Sequence, residues 1–171
     1  SMAKALEAHG ASYYLDGKQD DLFRILKKCG TDMIRLRIWP DPYDASGAPY
    51  GGGNNDLQTT VELAQRAKSS GMEVLLDFQY SDFWADPAKQ IKPKAWKSLT
   101  GKELEAAVYL HTRETLKYLK NRGIIPAMVQ VGNEITNGFL WPDGHVKNLA
   151  AMAGLLQAGI YAVKEECPEA R

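Results

Sequence analysis

Apolar and polar positions along the chain follow two rhythms, a helical spacing of three to four and a strand alternation of two, and they take turns. Residues 4–15 show no clear period, and Tyr13-Tyr14-Leu15 gives way to a turn signal at Asp16-Gly17. Leu22, Phe23, Ile25, Leu26 and Cys29 then fall on one helical face, with Gly30 placed to close the helix in the left-handed conformation. Met33 to Ile38 reads as a strand stopped by Trp39-Pro40. After a loop of nearly twenty residues, Asn55-Asp56-Leu57-Gln58 resembles a capping box that opens a helix on Leu57, Val61, Ala64 and Ala67, ended by Gly71. Glu73 to Gln79 is the second strand. A second long loop, Tyr80 to Leu99, leads to Thr100-Gly101-Lys102-Glu103, another capping box, and a helix through about Leu119. Gly123 breaks that helix, Pro126 leads into a third strand from Ala127 to Gly132, and Leu149, Met152, Ala153, Leu156, Ile160 and Val163 mark a final helix stopped by Pro168.

Helix and strand thus alternate, and no hairpin signal is read between strands, so the pattern predicts βα units and a parallel sheet. The strand-to-helix loops are long and the helix-to-strand loops short, which puts function at the C-terminal ends of the strands. Ile34, Leu36 and Ile38 share one face of the first strand, opposite Met33, Arg35 and Arg37. In the second strand Val74, Leu76 and Phe78 oppose Glu73, Leu75, Asp77 and Gln79; in the third, Val129 and Val131 oppose Gln130 and Glu134. A doubly wound sheet, covered on both faces, would carry nearly continuous apolar strands. One apolar face and one polar face instead fit part of a barrel whose interior opens onto a polar site. A sheet with one wet face is the competing reading, and the missing hairpins count against it. Charges inside such a barrel must be paired, so an arginine–carboxylate network of Arg35, Arg37 and Asp77 is expected beneath the site.

Composition narrows the classes. At 171 residues the chain is the size of one domain, and its 21 basic and 21 acidic residues balance. With no stretch of five or six like charges, neither a nucleic-acid footprint nor a basic membrane-binding patch is indicated, and no apolar run is long enough to span a membrane. Cys29 and Cys167 are too few and too far apart for a disulfide framework and read as free thiols. No signal peptide is visible, but Ser1-Met2-Ala3 looks like the start left by an expression vector, which makes that absence uninformative.

Candidate chemistry centres on Val129-Gln130-Val131-Gly132-Asn133-Glu134, a short strand that ends abruptly on a carboxylate. In parallel sheets catalytic side chains sit where a strand stops; the plainer alternative is that Asn133 caps a following helix and Glu134 complements its dipole. Trp39, Trp84, Trp96 and Trp141 all fall in or at the start of strand-to-helix loops. Core packing would scatter them among the elements, whereas indole faces beside Asp and Asn suit sugar rings. Packing of the loops themselves remains open for each one singly. Gly51-Gly52-Gly53 lacks the following Lys-Ser/Thr of a phosphate loop, and His9, His111 and His145 show no metal spacing and read as surface or loop residues. No metal or cofactor is expected.

Taken together, Arg35-Leu36-Arg37-Ile38-Trp39, the segment Tyr50 to Asn55, Leu75 through Pro87, Pro93-Lys94-Ala95-Trp96 and Gln130 through Glu134 resemble glycoside hydrolase family 53, the arabinogalactan endo-β-1,4-galactanases, over essentially the whole chain. The resemblance implies a partial (β/α)8 TIM barrel filling residues 1–171, with about three parallel strands and four helices from the first half of the barrel. It further implies hydrolysis with retention, β-1,4-galactan as the partner, and extracellular or periplasmic work on pectin. By the family pattern Glu134 matches the general acid/base, Asn133 the residue holding the sugar's 2-hydroxyl, Arg37 an arginine of the catalytic centre, and Trp84 an aromatic lining the groove. Trp39, Gln79 and Trp141 complete the expected substrate-binding set. Two departures stand out: Gln79 occupies a position where similar sequences carry His, and the family's nucleophile, a Glu on the seventh strand, has no counterpart here. Retention needs two carboxyls about 5–5.5 Å apart, and Glu165, Glu166 and Glu169, at the far end of a helix, cannot stand in. An inactive sugar-binding module and a half-barrel that self-associates through its open strand edges as a homodimer are therefore alternatives.

Overall fold

The structure, a computed structural model, describes residues 2–51 and 54–171; Ser1, and with it the first residue of the vector-like start, and Gly52 and Gly53 of the glycine triplet lie outside the described residues. Three parallel strands form its sheet: β3 (Met33–Ile38), β4 (Glu73–Phe78) and β5 (Met128–Val131), in the order β3-β4-β5. Register places Leu36 beside Leu76 and Leu76 beside Val129, while Arg37, Asp77 and Gln130 make one row on the opposite face. Leu36, Ile38, Val74, Leu76 and Phe78 are all at most 5% exposed and form the floor of the apolar core.

Helices cover that floor. α3 (Leu57–Ser69) buries Val61, Leu63, Ala64 and Ala67; α4 (Gly101–Lys120) buries Leu104, Val108, Leu116 and Leu119; α5 (Leu149–Glu166) buries Leu155, Ala162 and Val163. α2 (Leu22–Lys28) starts on Asp21, whose carboxylate accepts from the Phe23 and Arg24 amides. Gly30 follows its C-cap with φ of 92°, which a side chain would resist. The α3 cap is one residue later than the sequence indicates: Asp56, not Asn55, accepts from the Thr59 amide at 2.6 Å, and Gln58 turns to Glu62. Thr100 stands at the α4 cap, but its side chain makes no capping bond.

Three elements depart from the sequence reading. α1 (Met2–Ala8) buries no residue, so it has no apolar stripe to be read. It is held to α3 by ion pairs instead, Lys4 with Glu62 and Glu7 with both terminal nitrogens of Arg66 at 2.9 Å. A hairpin joins β1 (Tyr13–Leu15) to β2 (Lys18–Asp20) across Asp16-Gly17, whose φ of 52° and 74° are the two positive values a tight primed turn requires. A second hairpin pairs β6 (Gly138–Phe139) with β7 (Gly144–His145) after the third strand. A Cβ on Gly138 would lie 2.0 Å from the Gly144 carbonyl oxygen, so only glycine permits that pairing.

His111 also differs from expectation. It lies in α4 with Phe78, Tyr80 and Trp96 packed edge-on against it, at centroid distances of 5.6–6.3 Å. Its Nε2 is buried without a partner among the described residues, and burial holds its pKa down to about 4. Cys29 is exposed and Cys167 buried, both as free thiols.

Candidate active site

Long loops follow each strand of the parallel sheet, and above the strand ends they interlock. The Asp41 amide donates to Asp82 at 3.0 Å, and Lys94 reaches back to the Asp41 carboxylate at 2.7 Å and to backbone carbonyls of the same loop. On the other side Trp141 pairs its amide with the Gln90 carbonyl at 2.8 Å, Asn137 donates to the Pro87 carbonyl, and Lys92 bonds Asp143 at 2.8 Å. The Lys92–Asp143 pair is 9% and 16% exposed, which makes it a partly desolvated strap between two loops rather than a solvated surface contact.

Beneath the loops, the polar face of the sheet carries one connected network. Arg35 donates through Nη2 to Asp77 at 2.7 Å and to the Asn133 side-chain oxygen at 2.7 Å, and through Nε to Gln130 at 3.2 Å. Asp77 is fully buried, and its Oδ1 has no partner among the described residues. Burial is the main reason its pKa rises to about 6; Arg35, the Gln79 amide and Arg37 oppose the rise, and Glu134 adds to it. Arg37 does not join the ion pair. Its guanidinium lies 4.3 Å from the centroid of Trp84, a cation–π contact, and burial together with neighbouring Arg35 pulls it below its ordinary pKa. Asp77 therefore serves Arg35.

The strand carrying Glu134 stops on a sharp bend. Gly132 has φ of 89°, and a Cβ there would meet the Ile135 side chain at 2.8 Å. Glu134 itself is left-handed, at φ 50° and ψ 45°, a conformation that is strained for a residue with a side chain and is found often at functional sites. Gln90, only 2% exposed, holds the bend: its Nε2 donates to the Asn133 carbonyl at 2.7 Å and lies 3.4 Å from that of Glu134. Asn133 is bonded on both ends, to Arg35 through its oxygen and to the Ala85 carbonyl through Nδ2 at 2.7 Å, which leaves one Nδ2 hydrogen to give. Glu134 is exposed. The plainer reading of this stretch, a helix capped by Asn133, does not hold, because the Asn133 oxygen accepts from Arg35 and only a single 3-10 turn, not an α-helix, follows Glu134.

The seven residues singled out from the sequence divide into two groups. Glu134, Asn133, Arg37, Trp84 and Trp141 stand at the strand ends or along the groove beside them, with Trp84 and Trp141 lining it. Trp39 and Gln79 are each 1% exposed, and they bond each other: Trp39 Nε1 donates to Gln79 Oε1 at 2.9 Å. That oxygen also accepts from the Ala85 amide, and Gln79 Nε2 donates to Asp77 at 3.3 Å. Both donors to Oε1 lack acceptor capacity, which fixes the amide's orientation. Trp39 meets Trp84 edge-on at 5.3 Å. These two residues are the support under Trp84 and Asp77 rather than open contacts, because their polar atoms are already used. Trp96 likewise packs inward, against Tyr80 and His111. Gln90 was not legible from sequence: nothing local marks a loop glutamine whose partners are carbonyls more than forty residues away.

Against known proteins, the sequence profile of Glycosyl hydrolase family 53 matches residues 1–171. The endo-beta-1,4-galactanase of Bacillus subtilis (strain 168) is 46% identical over 162 residues, 94% of this chain and 37% of that protein. The GH53 catalytic domain of Ignisphaera aggregans superimposes with a TM-score of 0.96 at 51% identity, covering 100% of this chain and 48% of that one. A fungal β-1,4-galactanase superimposes at 0.89 and 34% identity, again over 100% and 48%. The chain thus spans about half the length, or less, of the proteins it matches, and its fold is a partial (β/α)8 barrel.

Proposed function

The chain belongs to glycosyl hydrolase family 53, and from that membership we propose that it is the part of a secreted endo-β-1,4-galactanase that supplies the acid/base carboxyl, Glu134, to a retaining hydrolysis. The observation that carries this reading is the bend at the end of β5. It presents Glu134 from a strained left-handed residue, directly beyond an Asn133 whose amide is aimed by Arg35 and Ala85. In the proposed reaction Glu134 protonates the departing glycosidic oxygen and then takes a proton from the incoming water. The free Nδ2 hydrogen of Asn133 donates to a sugar hydroxyl, and Trp84, held between Arg37 and Trp39, offers a ring face to the galactose unit.

The second carboxyl required for retention comes, in this proposal, from outside residues 1–171. Asp77 feels the Glu134 charge but is buried and tied to Arg35, so it is not free to attack an anomeric carbon. The test compares the purified chain with a version extended to the full length of its relatives, on β-1,4-galactan. The extended protein should release products whose first-formed anomer keeps the β configuration, followed by proton NMR, and the chain alone should stay at background. First-formed α anomers, or efficient cleavage by the chain alone, would overturn this reading.

Trp84→Ala should weaken galacto-oligosaccharide binding about fivefold, the worth of one aromatic contact near 1 kcal/mol. Titration alongside a thermal melt separates this from a packing role, which would lower the midpoint and leave affinity unaltered.

A further inference from the structure

Beyond the strand ends, the interlocked loops enclose a groove of about 810 Å³, within the range that holds small ligands of several rings. Its apolar surface comes from Ile91 and from the rings of Tyr50, Phe83, Trp84 and Trp141, flat faces of the kind that pyranose rings lie on. Its charge is of one dominant sign. Lys89, Lys92, Lys94 and Lys97 line it against Asp82 and Asp143.

Those carboxylates are already committed. Asp143 bonds Lys92, whose ammonium also donates to the Leu99 carbonyl. Asp82 accepts two backbone amides, from Asp41 and Lys94, and Lys94 spends its donors on Asp41 and on the Asp41 and Tyr43 carbonyls. Lys89 and Lys97 remain: among the described residues neither has a carboxylate partner. The Lys89 ammonium lies 5.3 Å from the centroid of Phe83, at the edge of the aromatic surface, and Lys97 is exposed. Lys92 and Lys94 are matched by Asp143 and Asp41, so the unpaired cations of the groove are Lys89 and Lys97, and a neutral sugar supplies no charge to meet them. The two unmatched lysines are point charges without a shared cradle of amides, so they are not built to hold a small anion by itself. An aromatic platform with loose cations at its rim fits a ring that carries its own negative charge.

We propose that this groove takes a carboxylate-bearing saccharide, a uronate unit, with its ring on the Trp84, Phe83 and Trp141 surface and its carboxylate near Lys89 and Lys97. The proposal rests on the galactanase reading only in treating the groove as part of a saccharide path.

Binding to the 171-residue chain can be followed by NMR through the indole N–H signals of Trp84 and Trp141. The probes are β-1,4-galactotetraose and an oligogalacturonate of the same length, at low and at raised ionic strength, with sodium acetate as the free-carboxylate control. At low salt the acidic oligomer should bind about five- to tenfold more tightly than the neutral one, which is what two exposed ion pairs supply, and the margin should shrink as salt is added. Acetate at the same carboxylate concentration should leave the indole signals in place. In the double variant Lys89→Gln, Lys97→Gln the acidic-to-neutral ratio should fall to about one; Lys97 is exposed and Lys89 partly so, and an unchanged melting midpoint would confirm the fold.

A neutral oligomer that binds as well as the acidic one, or a ratio that survives in the double variant, overturns the uronate proposal and leaves the galactan reading standing. Equal displacement by acetate overturns it as well. Acidic binding with no neutral binding at any concentration supports the proposal and counts against the galactan reading instead. Binding of neither sinks both.

Discussion

Replacing Glu134 by glutamine in a full-length version of the protein should lower galactan turnover by roughly 10²–10⁴-fold, the worth of one general acid/base. Glutamine keeps the size and backbone demands of the site, including the left-handed conformation at φ 50°, and removes only the proton. The loss should fall on kcat and kcat/KM together, with KM little changed, because a proton delivered to the leaving oxygen is an interaction of the transition state. The leaving group supplies a sharper check. An aryl galactoside with an acidic phenol departs without protonation, so its first step should be far less affected by Glu134→Gln than cleavage of galactan is. Equal losses on both substrates would point to a disturbed site, and unchanged galactan turnover would remove Glu134 from the mechanism.

Acid stability should depend on two groups, Asp77 and His111, whose pKa shifts are both caused chiefly by burial and work against each other. Asp77 titrates at about 6 in the folded chain against an ordinary 3.8, so the folded state holds its proton the more tightly. Its contribution to stability is therefore full below about pH 4 and is lost as pH rises to about 6. His111 titrates at about 4 against an ordinary 6.5, so the unfolded state binds its proton the more tightly, and stability is lost as pH falls from about 6.5 to 4. Each shift corresponds to roughly 3 kcal/mol at full linkage. The two windows overlap and the slopes are opposite, so in the native chain these contributions largely cancel. Asp77→Asn should expose the histidine limb, and unfolding free energy should then climb between pH 4 and 6.5 by roughly 3 kcal/mol more than in the parent. His111→Phe should tilt the profile the other way. Urea unfolding across that pH range measures both, and profiles parallel to the parent in either variant would refute the corresponding assignment.

The cancellation could not have been anticipated from residue order, because both groups owe their shifts to neighbours distant in the chain. Asp77 is shifted mainly by burial, with Arg35 bonded to it from the adjacent strand, and His111 by the Phe78, Tyr80 and Trp96 rings. The same limit explains α1. A helix with no buried face leaves no periodic trace, and the ion pairs of Lys4 and Glu7 that hold it involve residues near position 60. It also explains Trp39 and Trp96: a loop position says that an indole is free of helix and strand packing, not that its face is open. The hairpin at Asp16-Gly17 is a different case. Its signal was local and present, but three-residue strands are too short to declare themselves by alternation.

What residue order determined by itself was what depends on neighbours along the chain. The alternation of Ile34, Leu36 and Ile38 with Met33, Arg35 and Arg37 was enough to define the first parallel strand from Met33 to Ile38. The same alternation gave each strand a helix-covered face and a polar face, and the long loops after the strands pointed to the candidate site. The motif around Glu134 named its candidate acid. Only the tertiary structure decided which polar groups meet: that Arg35 rather than Arg37 holds Asp77, that Gln79 is spent on Trp39, that Gln90 clamps the bend, and that two lysines are left unmatched in a groove. The physical reason is that strand and helix periods arise from backbone geometry repeated every few residues. A hydrogen bond or ion pair between loops depends on where separate segments come to rest, and that is set by packing of the whole sheet and its helices.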